Sequence, residues 1–233
     1  MFIYMIVGSI VLFFYSCNIG IDEKIVLVPE IKKVSIGSGS IIEKYDFEKD
    51  TSITKYVDNK ISFNDKNYIP ETLLQLKGEY LIDTKNNQKV RKITLENINK
   101  LSENFYNTFG EKLKIISAYR SYNYQKGIKD RGCSDAFCAK AGFSEHQSGL
   151  AIDLWEATNE DRFKDDEELK TYFDWMKDNG NKYGFTNTYQ KGVEIDGYEV
   201  EPWHWRYVGI KLATSLKKQK LTFVEFYYKN NFK

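Results

Sequence analysis

Hydrophobic residues recur at intervals of three and four in two long segments of the chain. The first segment covers residues 94–109, and Gly110 follows it directly. The second covers residues 169–176, and Gly180 follows it after a short polar stretch. This spacing places the apolar side chains on one face of an α-helix, and glycine is common where a helix ends. The pattern therefore predicts two amphipathic helices.

Segments typical of strands lie between and after these helices. Residues 112–120 read as a strand, and residues 150–154 alternate apolar residues with Asp153, which predicts a half-buried strand. The Asp196-Gly197 pair lies between two short apolar segments and predicts a tight hairpin, followed by a strand over residues 203–208. Helices combined with a hairpin-built sheet predict an α+β fold, with a small antiparallel sheet and flanking helices.

The remaining elements are short. A helix is expected over residues 122–129, followed by a polar loop over residues 130–147. Thr222 and Glu225 have the spacing of a capping box, which predicts that a last short helix begins there.

The N-terminal segment is typical of an export signal. The first 21 residues carry no charged side chain, and the apolar run ends in Ser16-Cys17. This resembles a bacterial lipoprotein signal, in which Cys17 would be lipidated; an uncleaved membrane anchor and plain secretion are the alternatives. Each of these places the rest of the chain outside the cytoplasm. The predicted organisation is a signal over 1–17, a tether with one or two strands over 18–67, and a domain over 68–233.

Composition narrows the class of protein. The chain has 233 residues, of which 29% are charged and 42% hydrophobic, as expected for a globular protein. Its net charge of +1 argues against a nucleic-acid partner. We also expect the protein to be a monomer. Its three cysteines are too few for a disulfide-framework miniprotein. Only two histidines are available to any metal site.

Both histidines lie in dense polar motifs that also contain carboxylates. His146 precedes Asp153 by seven positions, and His204 follows Glu201 by three. Zinc takes imidazole nitrogen and carboxylate oxygen, and a catalytic zinc keeps one position open for water. His146, Asp153 and His204 could therefore bind one zinc ion per chain, with Glu201 within reach of the water. A plain hydrogen-bonded or surface His–Asp pair is the alternative.

Three motifs resemble those of the VanY-type D-alanyl-D-alanine carboxypeptidases. Residues 144–153 match S-x-H-x-x-G-x-A-x-D, and residues 201–209 match E-x-W-H-x-R-Y-V-G. Residues 117–125 are similar to S-G-Y-R-S-x-x-x-Q, with Ala118 in place of the first glycine. The resemblance covers roughly residues 68–230. It implies the fold that these zinc peptidases share with lysostaphin-type enzymes and the hedgehog domain.

The resemblance also implies an activity and a set of roles. Its expected substrate is a peptidoglycan stem peptide, from which the enzyme would remove the terminal D-alanine. The implied roles are zinc ligation by His146, Asp153 and His204, general base and acid for Glu201, oxyanion stabilisation for Arg120, and substrate binding for Ser144 and Gln125.

Other functions stay open at this point. An L,D-carboxypeptidase acting on tetrapeptide stems is the nearest rival, and an endopeptidase that cuts cross-links is a third enzyme. A zinc-containing binding module without activity is a different class, because the hedgehog domain shares the fold.

Cys133 and Cys138 flank four residues in the loop that leads to His146. In an oxidising compartment they could close a small disulfide that stiffens one wall of the site. Two free thiols are the alternative.

Overall fold

The computed structural model describes residues 45–155 and 160–231, so the predicted signal and any strands before residue 45 lie outside the described residues. Within these ranges the chain forms seven strands, seven α-helices and two short 3₁₀-helices. The strands are β1 (Leu73–Gln75), β2 (Leu81–Asp83), β3 (Lys89–Arg91), β4 (Leu113–Ser117), β5 (Ala151–Leu154), β6 (Phe185–Asn187) and β7 (His204–Tyr207). The helices are α1 (Lys92–Phe109), α2 (Tyr122–Asp130), α3 (Arg162–Asp165), α4 (Glu167–Asn179), α5 (Val193–Asp196), α6 (Ile210–Gln219) and α7 (Phe223–Asn231), and the 3₁₀-helices are Glu145–Ser148 and Gly180–Tyr183.

The two predicted amphipathic helices are confirmed as α1 and α4. The apolar face of α1 buries Ile98, Leu101 and Phe105. The helix ends at Gly110, whose φ of 74° lies in the left-handed region and whose N–H donates to the carbonyl of Tyr106. The predicted short helix is confirmed as α2, and the capping box at the start of α7 is formed by reciprocal hydrogen bonds between Thr222 and Glu225. Periodicity and end residues thus predicted α1, α2, α4 and α7, whereas α3, α5 and α6 were not predicted.

The main sheet has five strands in the order β2-β4-β5-β7-β6. All neighbouring pairs are antiparallel except β2 and β4, which run parallel at one edge. The predicted α+β fold is confirmed. The prediction that β5 is half-buried was wrong, because β5 lies between β4 and β7 in the middle of the sheet and all four of its residues are buried.

The predicted hairpin around Asp196 and Gly197 was wrong, because the segment before the glycine forms helix α5. The Asp196 carboxylate accepts hydrogen bonds from the backbone N–H groups of Gln190 and Lys191, at 2.7 and 2.6 Å. Gly197 adopts a φ of 80° and ends the helix. A glycine in the left-handed conformation is common both in hairpin turns and at the C-terminus of a helix. The Asp-Gly pair alone therefore could not distinguish a hairpin from the end of a helix.

Residues 45–67 pack against the C-terminal helices. The ring of Tyr56 stacks on that of Tyr227 with centroids 3.7 Å apart, and the ring of Phe47 lies 6.1 Å from that of Phe223. We call this cluster the aromatic seam: Phe47, Tyr56, Phe223, Phe226 and Tyr227. The described residues, including residues 45–67, belong to one compact unit.

None of the helices formed by the described residues combines the length and apolar character that crossing a bilayer requires.

Candidate functional site

Two of the predicted metal ligands are neighbours in the sheet. Asp153 on β5 pairs directly with His204 on β7. Directly paired residues of antiparallel strands project their side chains on the same face of a sheet. His204 Nδ1 lies 3.2 Å from Asp153 Oδ1, and the two residues are 2% and 1% exposed. Strand register therefore brings together two residues that lie 51 positions apart in the chain.

His146 reaches the same point from the 3₁₀-helix that precedes β5. Its Nδ1 lies 2.7 Å from the carbonyl oxygen of Ala118, and its Nε2 lies 3.2 Å from Asp153 Oδ1. Gly149 ends the 3₁₀-helix at a φ of 67°, and a Cβ there would meet the side chain of Leu73 at 2.9 Å. The turn into β5 therefore requires glycine, and it brings His146 next to Asp153.

These three side chains fit a divalent cation such as zinc. One ligand atom from each of the three residues lies within 4.8 Å of the other two. The ring nitrogens that face Asp153 Oδ1 are His146 Nε2 and His204 Nδ1, each at 3.2 Å. Two imidazole nitrogens and one carboxylate oxygen are ligands that zinc takes, and three protein ligands leave a position open for water or substrate. The donor set is that of a catalytic site.

Burial and neighbouring charges set the protonation of these ligands. Burial, together with the charge of Arg120, lowers the pKa of His146 to about 4. Burial raises the pKa of Asp153, but His146 and Arg120 outweigh it, and the pKa lies well below its usual range. Burial also lowers the pKa of His204, yet Asp153 and Glu145 raise it to about 10. A cation must displace the proton of His204, so its affinity should fall as the solution becomes more acidic.

Glu201 lies beside these three side chains. Its Oε2 is 3.8 Å from His204 Nδ1, and burial raises its pKa to about 8. The Asn187 amide donates 2.7 Å hydrogen bonds to the backbone carbonyls of Glu201 and His204, which fixes the turn between them. A carboxylate with a pKa near neutrality is suited to general acid–base chemistry.

Arg120 contacts the outer side of the aspartate. Its Nη2 donates to Asp153 Oδ2 at 2.7 Å, and its Nε donates to Ser117 Oγ at 3.0 Å. The side chain is 21% exposed, so part of the guanidinium faces the cleft. Arg120 can therefore orient Asp153 and also meet negative charge that develops on a substrate.

The structure places all seven predicted site residues around one cleft of about 360 Å³: Arg120, Gln125, Ser144, His146, Asp153, Glu201 and His204. Ser144 is buried at its edge. The Gln125 amide donates to the carbonyl of Ala139 at 2.8 Å, and its Oε1 has no hydrogen-bond partner among the described residues. The Nε2 group of Gln125 thus binds the backbone of the cleft wall, and its Oε1 can still accept a hydrogen bond.

Cys133 and Cys138 form a disulfide in this wall, with their Cα atoms 5.8 Å apart. The predicted disulfide is confirmed. Between the two cysteines, Phe137 is 52% exposed and lines the cleft. The backbone N–H of Glu199 donates to the carbonyl of Ala136 at 2.8 Å, which attaches the loop to the segment before Glu201.

Two residues at the site were missed by the sequence analysis. Glu145 Oε2 lies 2.8 Å from His204 Nε2, and the ring of Tyr189 stacks on that of His204 with centroids 4.7 Å apart. The carboxylate next to His146 was the available signal for Glu145. Its partner, however, lies 59 positions away, and only the fold brings the two together.

Comparison with known proteins gives three kinds of match. The family model described as VanY, D-alanyl-D-alanine carboxypeptidase, matches residues 87–210, which is more than half of the chain. YodJ of Bacillus subtilis (strain 168) is 42% identical over 130 residues, covering 52% of this chain and 47% of YodJ. The D-alanyl-D-alanine carboxypeptidase of Enterococcus faecalis is 32% identical over 112 residues, covering 48% of this chain and 39% of that protein. The chain thus spans about half or less of the length of these relatives.

Solved structures share the fold over a larger part of the chain. The LdcB LD-carboxypeptidase aligns with a TM-score of 0.66 and 31% identity, covering 77% of this chain and 87% of that one. VanYB in complex with D-alanine-D-alanine aligns with a TM-score of 0.57 and 25% identity, covering 76% and 97%. The family model covers every motif from the Arg120 segment to the His204 segment. The chain therefore belongs to the VanY D-alanyl-D-alanine carboxypeptidase family.

Proposed function

We propose that this chain is a zinc-dependent carboxypeptidase that removes the terminal D-alanine from peptidoglycan stem peptides. The observation that carries the proposal is the convergence of His146, Asp153 and His204 within 4.8 Å of one another. Glu201 lies beside them, and the cleft is open to a peptide end. Family membership and the similarity to VanYB, solved with D-alanine-D-alanine, support this choice of substrate. A VanY variant has also been solved in complex with Zn(II).

The proposed roles follow from the chemistry of each group. Zinc, when bound, supplies a Lewis acid that brings the pKa of water to about 7. Glu201 accepts a proton from the attacking water and then donates it to the leaving amine of D-alanine. The guanidinium of Arg120 donates to the oxyanion that develops on the scissile carbonyl. Ser144 and Gln125, which line the cleft, would bind the substrate: the Ser144 hydroxyl can donate to the terminal carboxylate, and Gln125 Oε1 can accept from a peptide N–H.

The proposed place of action is the cell envelope. Residues 1–17 would act as a lipoprotein signal, and a lipid on Cys17 would attach the chain to the membrane. The segment that follows Cys17 would then serve as a tether for a monomeric enzyme. Mass spectrometry of the protein from a membrane fraction should find a lipidated N-terminal cysteine, and an unmodified Cys17 would contradict this anchor.

An L,D-carboxypeptidase is the second candidate. The alignment with the LdcB LD-carboxypeptidase, with its TM-score of 0.66 and 31% identity, supports it. The two activities differ in the stem peptide that loses its last residue.

Purified zinc-loaded protein should be incubated separately with pentapeptide and tetrapeptide stems, and the products separated by chromatography and weighed by mass spectrometry. We expect the pentapeptide to lose one alanine, and His204→Ala to lose both zinc and this turnover. Loss of alanine from the tetrapeptide alone would favour the second candidate. Release from neither peptide by a zinc-loaded protein would contradict both and favour a binding module.

A further inference from the structure

Glu145 is a buried carboxylate to which the proposed reaction gives no part. The residue is 1% exposed. Its Oε2 lies 2.8 Å from His204 Nε2 and 2.9 Å from Thr188 Oγ1, and its Oε1 lies 3.6 Å from Arg206 Nη1. A charged group in the protein interior persists only where such partners compensate for the loss of water.

The contact with Glu145 determines which nitrogen of His204 carries a proton. An ionised carboxylate only accepts hydrogen bonds, so His204 Nε2 must donate. Nδ1 also faces a carboxylate, Asp153 Oδ1 at 3.2 Å, but a cation bound to that oxygen would take the place of a proton between the two atoms. With the cation bound, the imidazole would therefore keep its proton on Nε2 and present the lone pair of Nδ1. Nδ1 is therefore the proposed ligand atom of His204.

His146 is held in the opposite way. Its Nδ1 donates to the carbonyl oxygen of Ala118 at 2.7 Å, which leaves the lone pair on Nε2, 3.2 Å from Asp153 Oδ1. One histidine is thus oriented by a backbone carbonyl and the other by a buried carboxylate. The two rings therefore present different nitrogens to the same point.

We propose that Glu145 is a positioning residue, which holds His204 in the Nε2–H tautomer and presents its Nδ1 to the metal. The stacked ring of Tyr189 limits rotation of the imidazole about this hydrogen bond. Partners of this kind fix the orientation of a ligand and raise its basicity, and their loss typically weakens metal binding by about 10- to 100-fold.

Arg206 explains why a carboxylate is tolerated in this position. It is fully buried, and its Nη2 donates to the backbone carbonyl of Lys55 at 3.0 Å while its Nε donates to that of Tyr207 at 3.1 Å. These bonds hold a positive charge next to Glu145. The polar network thus extends from the metal ligands to the segment around residue 55.

The tautomers can be measured directly, because the chain contains only two histidines. Long-range ¹H–¹⁵N correlation spectra of the zinc-loaded wild-type protein should show one Nδ1–H and one Nε2–H imidazole. In the spectrum of Glu145→Gln, the signals that change most belong to the histidine that contacts residue 145, which assigns the two imidazoles. An Nδ1–H tautomer for His204 in the zinc-loaded protein would overturn the proposal without the need for any variant.

Zinc affinity gives the second measurement, by competition with a chelator. We expect Glu145→Ala to weaken zinc binding by about 10- to 100-fold, and Glu145→Gln to weaken it less, because an amide oxygen still accepts from Nε2. Thr188→Val removes the other hydrogen bond to the same oxygen and is the matched control, expected to stay within about twofold of wild type. Equal affinities for Glu145→Ala and Thr188→Val would contradict the positioning role.

This inference rests on the proposed ligand set, and the readouts separate the two. If His204→Ala binds zinc as tightly as the wild type, the ligand set is wrong. If His204→Ala loses zinc while Glu145→Ala keeps it, only the role of Glu145 fails. Neither measurement uses a peptide, so the choice of substrate affects neither result.

Discussion

The cluster of proposed metal ligands, formed by His146, Asp153 and His204, and the aromatic seam are both buried, yet they are held together by different forces. In the cluster, hydrogen bonds and charges position every side chain: Arg120 and both histidines contact the single carboxylate of Asp153. In the seam, rings pack on rings, as where Tyr56 stacks on Tyr227. Burial of charge costs free energy that pairing only partly offsets, whereas burial of aromatic surface stabilises the fold.

The comparison shows that the buried residues that support function and the buried residues that support stability can form separate clusters in one domain. The seam connects residues 45–67 to helix α7, and none of its residues lines the cleft. Substitutions in the cluster should therefore reduce turnover or zinc binding more than stability. Substitutions in the seam should do the reverse.

The largest effect is expected from Glu201→Ala. Loss of a general acid–base group typically costs about 10²- to 10⁴-fold in rate, and Glu201 is outside the ligand set, so zinc should remain bound. Turnover of the pentapeptide and zinc content should be measured on the same preparation. Glu194→Ala, an exposed glutamate in α5, is the matched control. Near wild-type cleavage by Glu201→Ala would show that the role assigned to Glu201 is wrong.

Arg120→Ala should reduce kcat by about 10²- to 10³-fold, the usual cost of losing one donor to a developing oxyanion. Zinc affinity should fall as well, because Arg120 also donates to Asp153 Oδ2 at 2.7 Å. Arg120→Lys keeps the charge but not the planar donor geometry. Its zinc affinity should therefore stay closer to the wild-type value than its kcat does. Arg131→Ala is the exposed control. An unchanged kcat in Arg120→Ala would exclude a part in catalysis.

Phe223→Ala tests the seam. Truncation of a fully buried phenylalanine typically costs about 3–5 kcal/mol, measured as the free energy of unfolding in denaturant. The folded fraction should keep wild-type kcat, since Phe223 packs on Phe47 and Tyr56 rather than on the cleft. Tyr124→Ala, at an exposed position, should change the free energy of unfolding by less than about 0.5 kcal/mol. A large loss of kcat in folded Phe223→Ala would show that the seam also affects turnover and would contradict the proposed separation of the two regions.

Thr222→Ala should have a smaller effect in the same region. Thr222 Oγ1 accepts from the backbone N–H of Glu225 at 3.1 Å at the start of α7. Loss of such a cap costs about 1 kcal/mol, and the free energy of unfolding should fall by that amount with kcat unchanged. Thr108→Ala, at an exposed position in α1, is the control. A cost equal to that of Phe223→Ala would mean that the cap, rather than ring packing, holds the seam together.

Local pattern predicted helices α1, α2, α4 and α7 and singled out the motifs that contain His146, Asp153 and His204. It did not predict α3, α5 and α6, or how distant segments meet. Asp153 and His204 belong to recognisable motifs, whereas their direct pairing depends on strand register. The contact between Glu145 and His204 also depends on register and could not be found from spacing. Residues 45–67 carry aromatic side chains without a helical or strand period, so their packing on α7 left no signal in the sequence.

Anomalous diffraction at the zinc absorption edge, from crystals of the zinc-loaded protein, tests the central claim most directly. We expect a single strong peak within coordination distance of His146 Nε2, Asp153 Oδ1 and His204 Nδ1, with Glu201 adjacent but not ligating. A peak held by other residues, or no peak at these three atoms in a protein that binds zinc, would contradict the account.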